Sequence, residues 1–180
     1  TMSISMIYVD MDGVIADFSK RYKEKFKVTP EETRSNKEFG GYFEKFINDR
    51  EFQTLDTMND TFILLKFLNE LPIEKQILSS TARPDSHERI APQKQKWLDF
   101  HRIDYKANFV PGKSLKYKFA TPHSIIIDDT KSVIDDWNKA GGIGILHKNA
   151  ESTIAMLKKY IWIRLYTSYI MKYVDKSIYN

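Results

Sequence analysis

Two aspartates one residue apart, Asp10 and Asp12, are the residues of this chain best suited to chemistry. They follow an apolar run from Ile4 to Val9 that is typical of a buried strand. Gly13, directly after them, permits the sharp turn that would bring both carboxylates to one site. Because two like charges so close repel each other, the pair predicts a cation between them or a proton held on one of them.

Three further groups of polar side chains follow or separate apolar segments later in the chain. They are the Ser79–Ser80 pair, the lysines Lys113 and Lys116, and the Asp128–Asp129 pair. Taken singly, each group has an ordinary explanation as a strand terminus, a helix cap or a solvated helix face. Open α/β sheets bind ligands at the carboxyl ends of their strands, so the occurrence of all these groups in order favours one shared site.

The pattern of apolar segments predicts the scaffold of this site. Short apolar runs alternate with segments of helical periodicity, which is typical of a Rossmann-like α/β fold with a parallel sheet covered by helices on both faces. Thr29 and Pro30 are good helix-start residues within a stretch that contains no clear strand, and we interpret that stretch as a small helical cap inserted after the first strand. The predicted division is a core of residues 1–17 and 57–150, a cap of residues 18–56 and a C-terminal helical extension of residues 151–180.

Composition narrows the class of protein. The chain has 180 residues, a net charge of +4 and no cysteine, which is enough length for one substantial core and excludes thiolate chemistry. The lack of cysteine fits a reducing compartment, so we expect a cytoplasmic protein. No segment resembles a membrane span or a signal peptide. The mild positive charge favours small anionic substrates over nucleic acid.

The order of aspartate pair, hydroxyl, lysine and acidic pair resembles the haloacid dehalogenase-like superfamily of phosphotransferases, over the range Ile7 to His147. The resemblance implies that Asp10 is a nucleophile that forms an aspartyl-phosphate and that Asp12 is the general acid and base. It also implies Mg²⁺ held by Asp10, by the backbone carbonyl of Asp12 and by Asp128, with Asp129 in close support.

The resemblance further implies that Ser79, Ser80 and one lysine hold the phosphate oxygens of the substrate. Two lysines compete for this role. We favour Lys116, because the segment that begins with it is more similar to the third motif of the family. Lys113, which follows Gly112, is the alternative.

Within the superfamily, the segment Asp10–Phe18 most resembles the 5′(3′)-deoxyribonucleotidases and their phage and bacterial relatives, with support from Ile125–Asp129. This implies a phosphomonoesterase that acts on nucleoside or deoxynucleoside monophosphates. In those relatives the base stacks between aromatic residues of the cap, and Phe18 and Phe43 are the candidates here. The second motif, Ser79–Thr81, departs from the threonine, serine and proline that the nucleotidases tend to have.

Two alternatives stay open at this point. The first is the same chemistry on a sugar phosphate or on the 3′-phosphate end of a polynucleotide, which the basic residues between Lys20 and Lys27 would favour. The second is a binding module that keeps the fold without catalysis. It is the weaker alternative, because none of the catalytic positions is lost.

The C-terminal segment from Ile154 to Val174 predicts a long helix rich in aliphatic and aromatic residues. Lysines and an arginine interrupt it, which argues against a membrane span. Because its apolar residues cover more than one stripe, we expect it to pack on the core or on a second subunit, which would give a homodimer. Binding to a membrane surface is the less favoured alternative.

Overall fold

A five-stranded parallel sheet forms the centre of the computed structural model, which describes residues 3–178. Its strands are β1 (Met6–Val9), β2 (Glu74–Ser80), β3 (Lys106–Val110), β4 (Ser124–Asp128) and β5 (Ile143–Leu146). They lie side by side in the order β3-β2-β1-β4-β5, and every pair is parallel. The predicted α/β fold with a parallel sheet is therefore confirmed.

Helices connect the strands and cover the sheet. They are α1 (Phe18–Phe26), α2 (Pro30–Ser35), α3 (Tyr42–Asn48), α4 (Thr61–Glu70), α5 (Pro84–Phe100), α6 (Lys131–Lys139) and α7 (Ala150–Ile178). Neighbouring residues of one strand point to opposite faces of the sheet. Ile77 accordingly packs in the larger apolar cluster with Trp97 of α5, and Leu78 packs in a smaller cluster with Trp137 of α6.

The register of the central strands brings their polar ends together. Val9 at the end of β1 lies opposite Ile77 of β2 and Ile127 of β4. Asp10 and Asp128 directly follow Val9 and Ile127, and they therefore lie at the same edge of the sheet. The backbone N–H of Asp10 also donates to the carbonyl of Ile127 at 3.0 Å, which fixes the two ends against each other.

The segment between β1 and α4 is helical, as its spacing predicts. It contains α1, α2, α3 and two short 3₁₀ helices at 37–39 and 51–54. Thr29 begins α2 as predicted, because its hydroxyl oxygen accepts the backbone N–H of Glu32 at 3.1 Å and Pro30 is the first helical residue. That the segment between β1 and α4 forms a separate cap stays a prediction.

Helix α5 holds this helical segment to the sheet. Buried Gln93 donates to the carbonyl of Ile47 at 2.9 Å, and the indole of Trp97 donates to the carbonyl of Leu55 at 2.7 Å. An ion pair of 2.7 Å between Arg89 and Glu44 adds to these contacts at the surface. One helix therefore contacts both the sheet and the segment that follows β1.

Helix α7 starts against the core and then leaves it. Thr153 and Leu157 are buried, whereas large apolar side chains between Trp162 and Val174 are exposed. None of the described helices is long and apolar enough to cross a membrane.

Candidate active site

The loop after β1 presents Asp10 and Asp12 in a tight turn. The carbonyl of Met11 accepts the backbone N–H groups of Val14, Ile15 and Ala16 at 2.9–3.0 Å, which closes the loop on itself. This closure separates the two carboxylates, so that each one meets a different set of neighbours.

Lys116 lies between the first aspartate and the last acidic pair. Its ammonium group donates to Oδ1 of Asp10 at 2.9 Å and to Oδ2 of Asp128 at 2.7 Å, and the lysine is only 2% exposed. Burial opposes its charge, but the two carboxylates outweigh burial and raise the pKa of Lys116 above its ordinary value. The ammonium form of Lys116 is therefore favoured beside the Asp10 carboxylate.

The competing lysine is placed differently. Lys113 is exposed at the start of the 3₁₀ helix Lys113–Phe119, in which Lys116 occupies the buried position. The structure thus brings Lys116 to the aspartates and leaves Lys113 at the surface.

Three carboxylates form an acidic cluster at the edge of the sheet. Asp10, Asp128 and Asp129 each offer an oxygen, and these oxygens lie within 4.8 Å of one another. Burial and repulsion by Asp10 raise the pKa of Asp128 to about 6, although Lys116 opposes the shift. Partial desolvation, followed by repulsion from Asp10 and Asp128, raises the pKa of Asp129 to about 7.

This cluster fits a divalent cation. Carboxylate oxygens are hard ligands of the kind that Mg²⁺ prefers, and a cation among them would offset the repulsion that raises both pKa values. The metal set implied by the sequence resemblance is brought together by the side chains of Asp10, Asp128 and Asp129. Asp12, whose backbone carbonyl was the implied ligand, turns its side chain elsewhere.

Asp12 pairs with Lys94, a residue that the sequence interpretation missed. The ammonium group of Lys94 donates to Oδ2 of Asp12 at 3.0 Å, to Oγ of Ser79 at 2.7 Å and to the carbonyl of Ser80 at 2.8 Å. It also lies 5.4 Å from the centre of the Phe52 ring, which covers it from the helical segment. Lys94 is 2% exposed.

A pattern that would have revealed Lys94 exists in the sequence. Ile90, Lys94 and Trp97 have the i, i+4, i+7 spacing of one helix face, and both neighbours are buried. A lysine on the apolar face of a helix is a costly placement unless it is paired. A lysine at such a position therefore indicates a buried hydrogen-bond acceptor close to its ammonium group.

The environment of Asp12 differs from that of Asp10. Burial raises the pKa of Asp12, and repulsion by Asp10 adds to the shift, whereas Lys94 opposes it. Its Oδ1 atom is buried and has no hydrogen-bond partner among the described residues. A carboxyl whose pKa is raised is suited to hold and release a proton.

The two serines contribute unequally. Ser79 is fully buried within β2, with its hydroxyl oxygen on Lys94. The hydroxyl oxygen of Ser80 accepts the backbone N–H of Ala82 at 3.1 Å, in a turn where Ala82 has a φ of 73°. Ser80 therefore supplies its hydroxyl to the local turn and its carbonyl to Lys94.

The aromatic candidates lie in a packed cluster of the helical segment. The rings of Phe18 and Phe43 are 6.5 Å apart at 86°, and Phe18 is stacked on Phe52 at 5.3 Å and 13°. In this arrangement Phe18 and Phe43 are not the parallel pair that would enclose a base between them. Stacking of a base on one face of either half-buried ring stays a prediction.

Comparison with known proteins supports the fold rather than a particular activity. No family model matches the chain, and no curated protein matches its sequence. A solved hydrolase from Streptococcus pneumoniae TIGR4 has a TM-score of 0.54 at 15% identity and covers 87% of this chain and 100% of its own. A structure described as a haloacid dehalogenase-like hydrolase from Bacteroides fragilis has a TM-score of 0.50 at 14% identity and covers 79% and 86%.

At these identities the likeness establishes the architecture. The chain shares its α/β fold with the Streptococcus pneumoniae hydrolase and with the haloacid dehalogenase-like hydrolase from Bacteroides fragilis.

Proposed function

We propose that this protein is a Mg²⁺-dependent phosphomonoesterase that forms an aspartyl-phosphate on Asp10. The observation that supports this most strongly is the buried Lys116 between Asp10 and Asp128. An ammonium group has three donors, and two are used by these carboxylates, so one is left for an oxygen of a bound phosphoryl group. A nucleophilic carboxylate and a cation for the phosphoryl charge thus lie side by side.

The proposed reaction has two steps. Lys116 holds Oδ1 of Asp10, and the other oxygen of Asp10 attacks phosphorus while the bond to the leaving oxygen breaks. Asp12 gives its proton to that oxygen. In the second step Asp12 takes a proton from water, the water oxygen attacks phosphorus, and release of phosphate regenerates Asp10. The raised pKa of Asp12 supports this assignment.

The metal would be held by Asp10, Asp128 and the backbone carbonyl of Asp12, with Asp129 nearby. When bound, Mg²⁺ would supply positive charge that offsets the negative charge of these carboxylates and of the phosphoryl group. Ser79 and Lys116 would be the protein donors to the phosphoryl group, and Lys113 is the reserve candidate for the lysine role.

We propose a nucleoside or deoxynucleoside monophosphate as the substrate, and residues 18–56 as the cap that meets it. The support is the resemblance of Asp10–Phe18 to the deoxyribonucleotidases and the aromatic character of the helical segment. The polynucleotide alternative is weakened by three ion pairs, because Lys20 pairs with Asp56, Arg21 with Glu51, and Lys25 with Asp49. Charges that are neutralised within the protein contribute less to binding a phosphate backbone. We place the enzyme in the cytoplasm, on the cysteine-free sequence.

A substrate panel tests this proposal. Phosphate release is measured with p-nitrophenyl phosphate, 5′- and 3′-deoxynucleoside monophosphates, a sugar phosphate and a 3′-phosphorylated oligonucleotide, each with and without Mg²⁺. Asp10→Asn is the control, and it should lose roughly 10³-fold or more in kcat because the nucleophile is removed. Release that is absent, or equal in wild type and Asp10→Asn, would sink the proposal. Preference for the sugar phosphate or the oligonucleotide would replace the nucleotide assignment alone.

We further propose that two copies of the chain pair through α7. Trp162, Tyr166, Tyr169 and Tyr173 follow one another at intervals of four, three and four residues, and all four are exposed. This spacing is that of a helix–helix seam. Large apolar side chains between Trp162 and Val174 are exposed in the single chain, and pairing of two copies would bury part of them.

A further inference from the structure

Lys94 is a buried cation, and the reaction steps proposed above assign no role to it. It comes from α5, not from the strand ends that carry the other polar groups, and it is 82 residues away from Asp12 in the sequence. Burial of an ammonium group is costly unless its charge and its donors are matched. The three contacts of Lys94 supply that match, so its position is well defined.

The number of contacts distinguishes Lys94 from Lys116. Lys94 donates to Asp12, to Ser79 and to the carbonyl of Ser80, which occupies all three N–H donors of an ammonium group. Lys116 uses two. Lys94 therefore has no donor left for a phosphoryl oxygen, and its action has to pass through the groups that it holds.

The contact to Ser79 sets the direction of the serine hydroxyl. An ammonium group donates and cannot accept, so the Ser79 oxygen must accept from Lys94. The hydroxyl hydrogen of Ser79 is then left for a different acceptor. In the proposed reaction that acceptor is a phosphoryl oxygen of the substrate.

The contact to Asp12 distinguishes its two oxygens. Oδ2 is held by Lys94 at 3.0 Å, whereas Oδ1 is buried without a hydrogen-bond partner among the described residues. The contact thus fixes the orientation of the Asp12 carboxylate, whose side chain is 30% exposed.

We propose that Lys94 is a positioning residue that orients the Asp12 carboxylate for proton transfer and turns the Ser79 hydroxyl hydrogen towards the phosphoryl group. The inference rests on the proposed function. Helix α5 holds Lys94 rigidly, because Gln93 and Trp97, which lie before and after Lys94 on this helix, are hydrogen-bonded to the helical segment. Lys94 and the aspartate it holds are therefore fixed before the substrate arrives.

The test compares two leaving groups. p-Nitrophenolate departs without a proton, whereas the alkoxide of a deoxynucleoside 5′-monophosphate needs one. The value of kcat/KM reports the first step, in which the leaving group departs. Lys94→Met should lower kcat/KM about 100-fold for the deoxynucleotide and roughly 10-fold or less for p-nitrophenyl phosphate, because only the former depends on an oriented acid. Lys96→Met, at an exposed lysine of the same helix, should change neither value.

A second variant separates positioning from stability. Asp12→Asn and the double variant Asp12→Asn/Lys94→Met, which removes both ends of the buried pair, are compared by kcat/KM on the deoxynucleoside 5′-monophosphate, and folding of each is verified by thermal unfolding. If Lys94 acts on the acid through Asp12, adding Lys94→Met to Asp12→Asn lowers kcat/KM by about 10-fold or less, against about 100-fold in the wild-type background.

The outcomes separate the two proposals. Equal losses of kcat/KM on both esters in Lys94→Met, or a fully additive loss in the double variant, would overturn the role of Lys94 and leave the proposed function standing. A wild-type protein that releases no phosphate from any ester would overturn the proposed function, and the role of Lys94 with it.

Discussion

Asp129 packs against the backbone of Gly13 so closely that a Cβ atom at Gly13 would lie 2.0 Å from its Oδ2 atom. Gly13 also has a φ of 82°, a conformation that side-chain-bearing residues rarely adopt. The turn that follows the first aspartates and the last acidic pair are therefore fitted to each other. The acidic cluster depends on this glycine as much as on its carboxylates.

Gly13→Ala should damage both stability and activity. The substitution adds a Cβ at a strained φ and displaces the Asp129 carboxylate, and we expect a cost of about 1–3 kcal/mol in the free energy of unfolding. Chemical denaturation measures this cost. Gly41→Ala is the matched control, since a Cβ there meets nothing within 4 Å. Equal stability of the two variants would contradict the prediction.

Lys116→Met and Lys113→Met should separate the two lysines. Loss of Lys116 removes the cation beside Asp10 and should lower kcat/KM by roughly 100-fold or more. Loss of Lys113, which is exposed, should leave kcat/KM within about twofold. Steady-state kinetics on p-nitrophenyl phosphate gives both values. A greater loss in Lys113→Met would move the phosphate role to that lysine.

Mg²⁺ should stabilise the folded protein by binding the acidic cluster. At a Mg²⁺ concentration about 100 times Kd, linkage predicts about 2.7 kcal/mol of added stability. Asp128→Asn should abolish the rise in Tm on addition of Mg²⁺, whereas Asp136→Asn, at an exposed position of α6, should retain it. A rise in Tm that survives in Asp128→Asn would place the metal elsewhere.

His147 should make the protein less stable at acidic pH. Burial lowers the pKa of His147, whose Nδ1 lies 2.7 Å from the Thr153 hydroxyl. A histidine with a lowered pKa contributes stability above the pKa of the unfolded chain, near ~6.5, and loses it as pH falls. The free energy of unfolding of wild type should therefore fall more between pH 7.5 and 5.5 than that of His147→Gln. Parallel curves for the two proteins would exclude this role.

The α7 seam should determine the mass of the particle in solution. Light scattering of wild type should give twice the 21.2 kDa of one chain. Tyr166→Glu/Tyr169→Glu should give the monomer, because two charges are placed in the middle of the apolar seam. Lys139→Glu, a substitution of an exposed residue of α6 outside the seam, is the control and should remain dimeric. A monomeric wild type would overturn the pairing of two copies through α7.

Residues with local patterns were predicted well. The apolar runs before Asp10 and Asp128 indicated buried strands, and Thr29 with Pro30 indicated the start of α2, because strand burial and helix capping depend on neighbours within a few residues. The order of polar groups at the ends of parallel strands was enough to predict one edge of the sheet as the site.

Contacts between distant segments were decided only by the tertiary structure. Lys116 and Lys113 lie three residues apart in similar sequence, and only packing shows which one reaches Asp10 across 106 residues. The ring planes of Phe18 and Phe43 likewise depend on how the helical segment packs.

The sequence by itself determined the alternation of strands and helices and the aspartate pair that ends the first strand, because apolar periodicity and turn chemistry are local properties. The tertiary structure decided that Asp10 and Asp12 face different lysines, Lys116 and Lys94. The physical reason is that a buried charge is stable only where acceptors surround it. The packing of the whole chain determines where those acceptors lie.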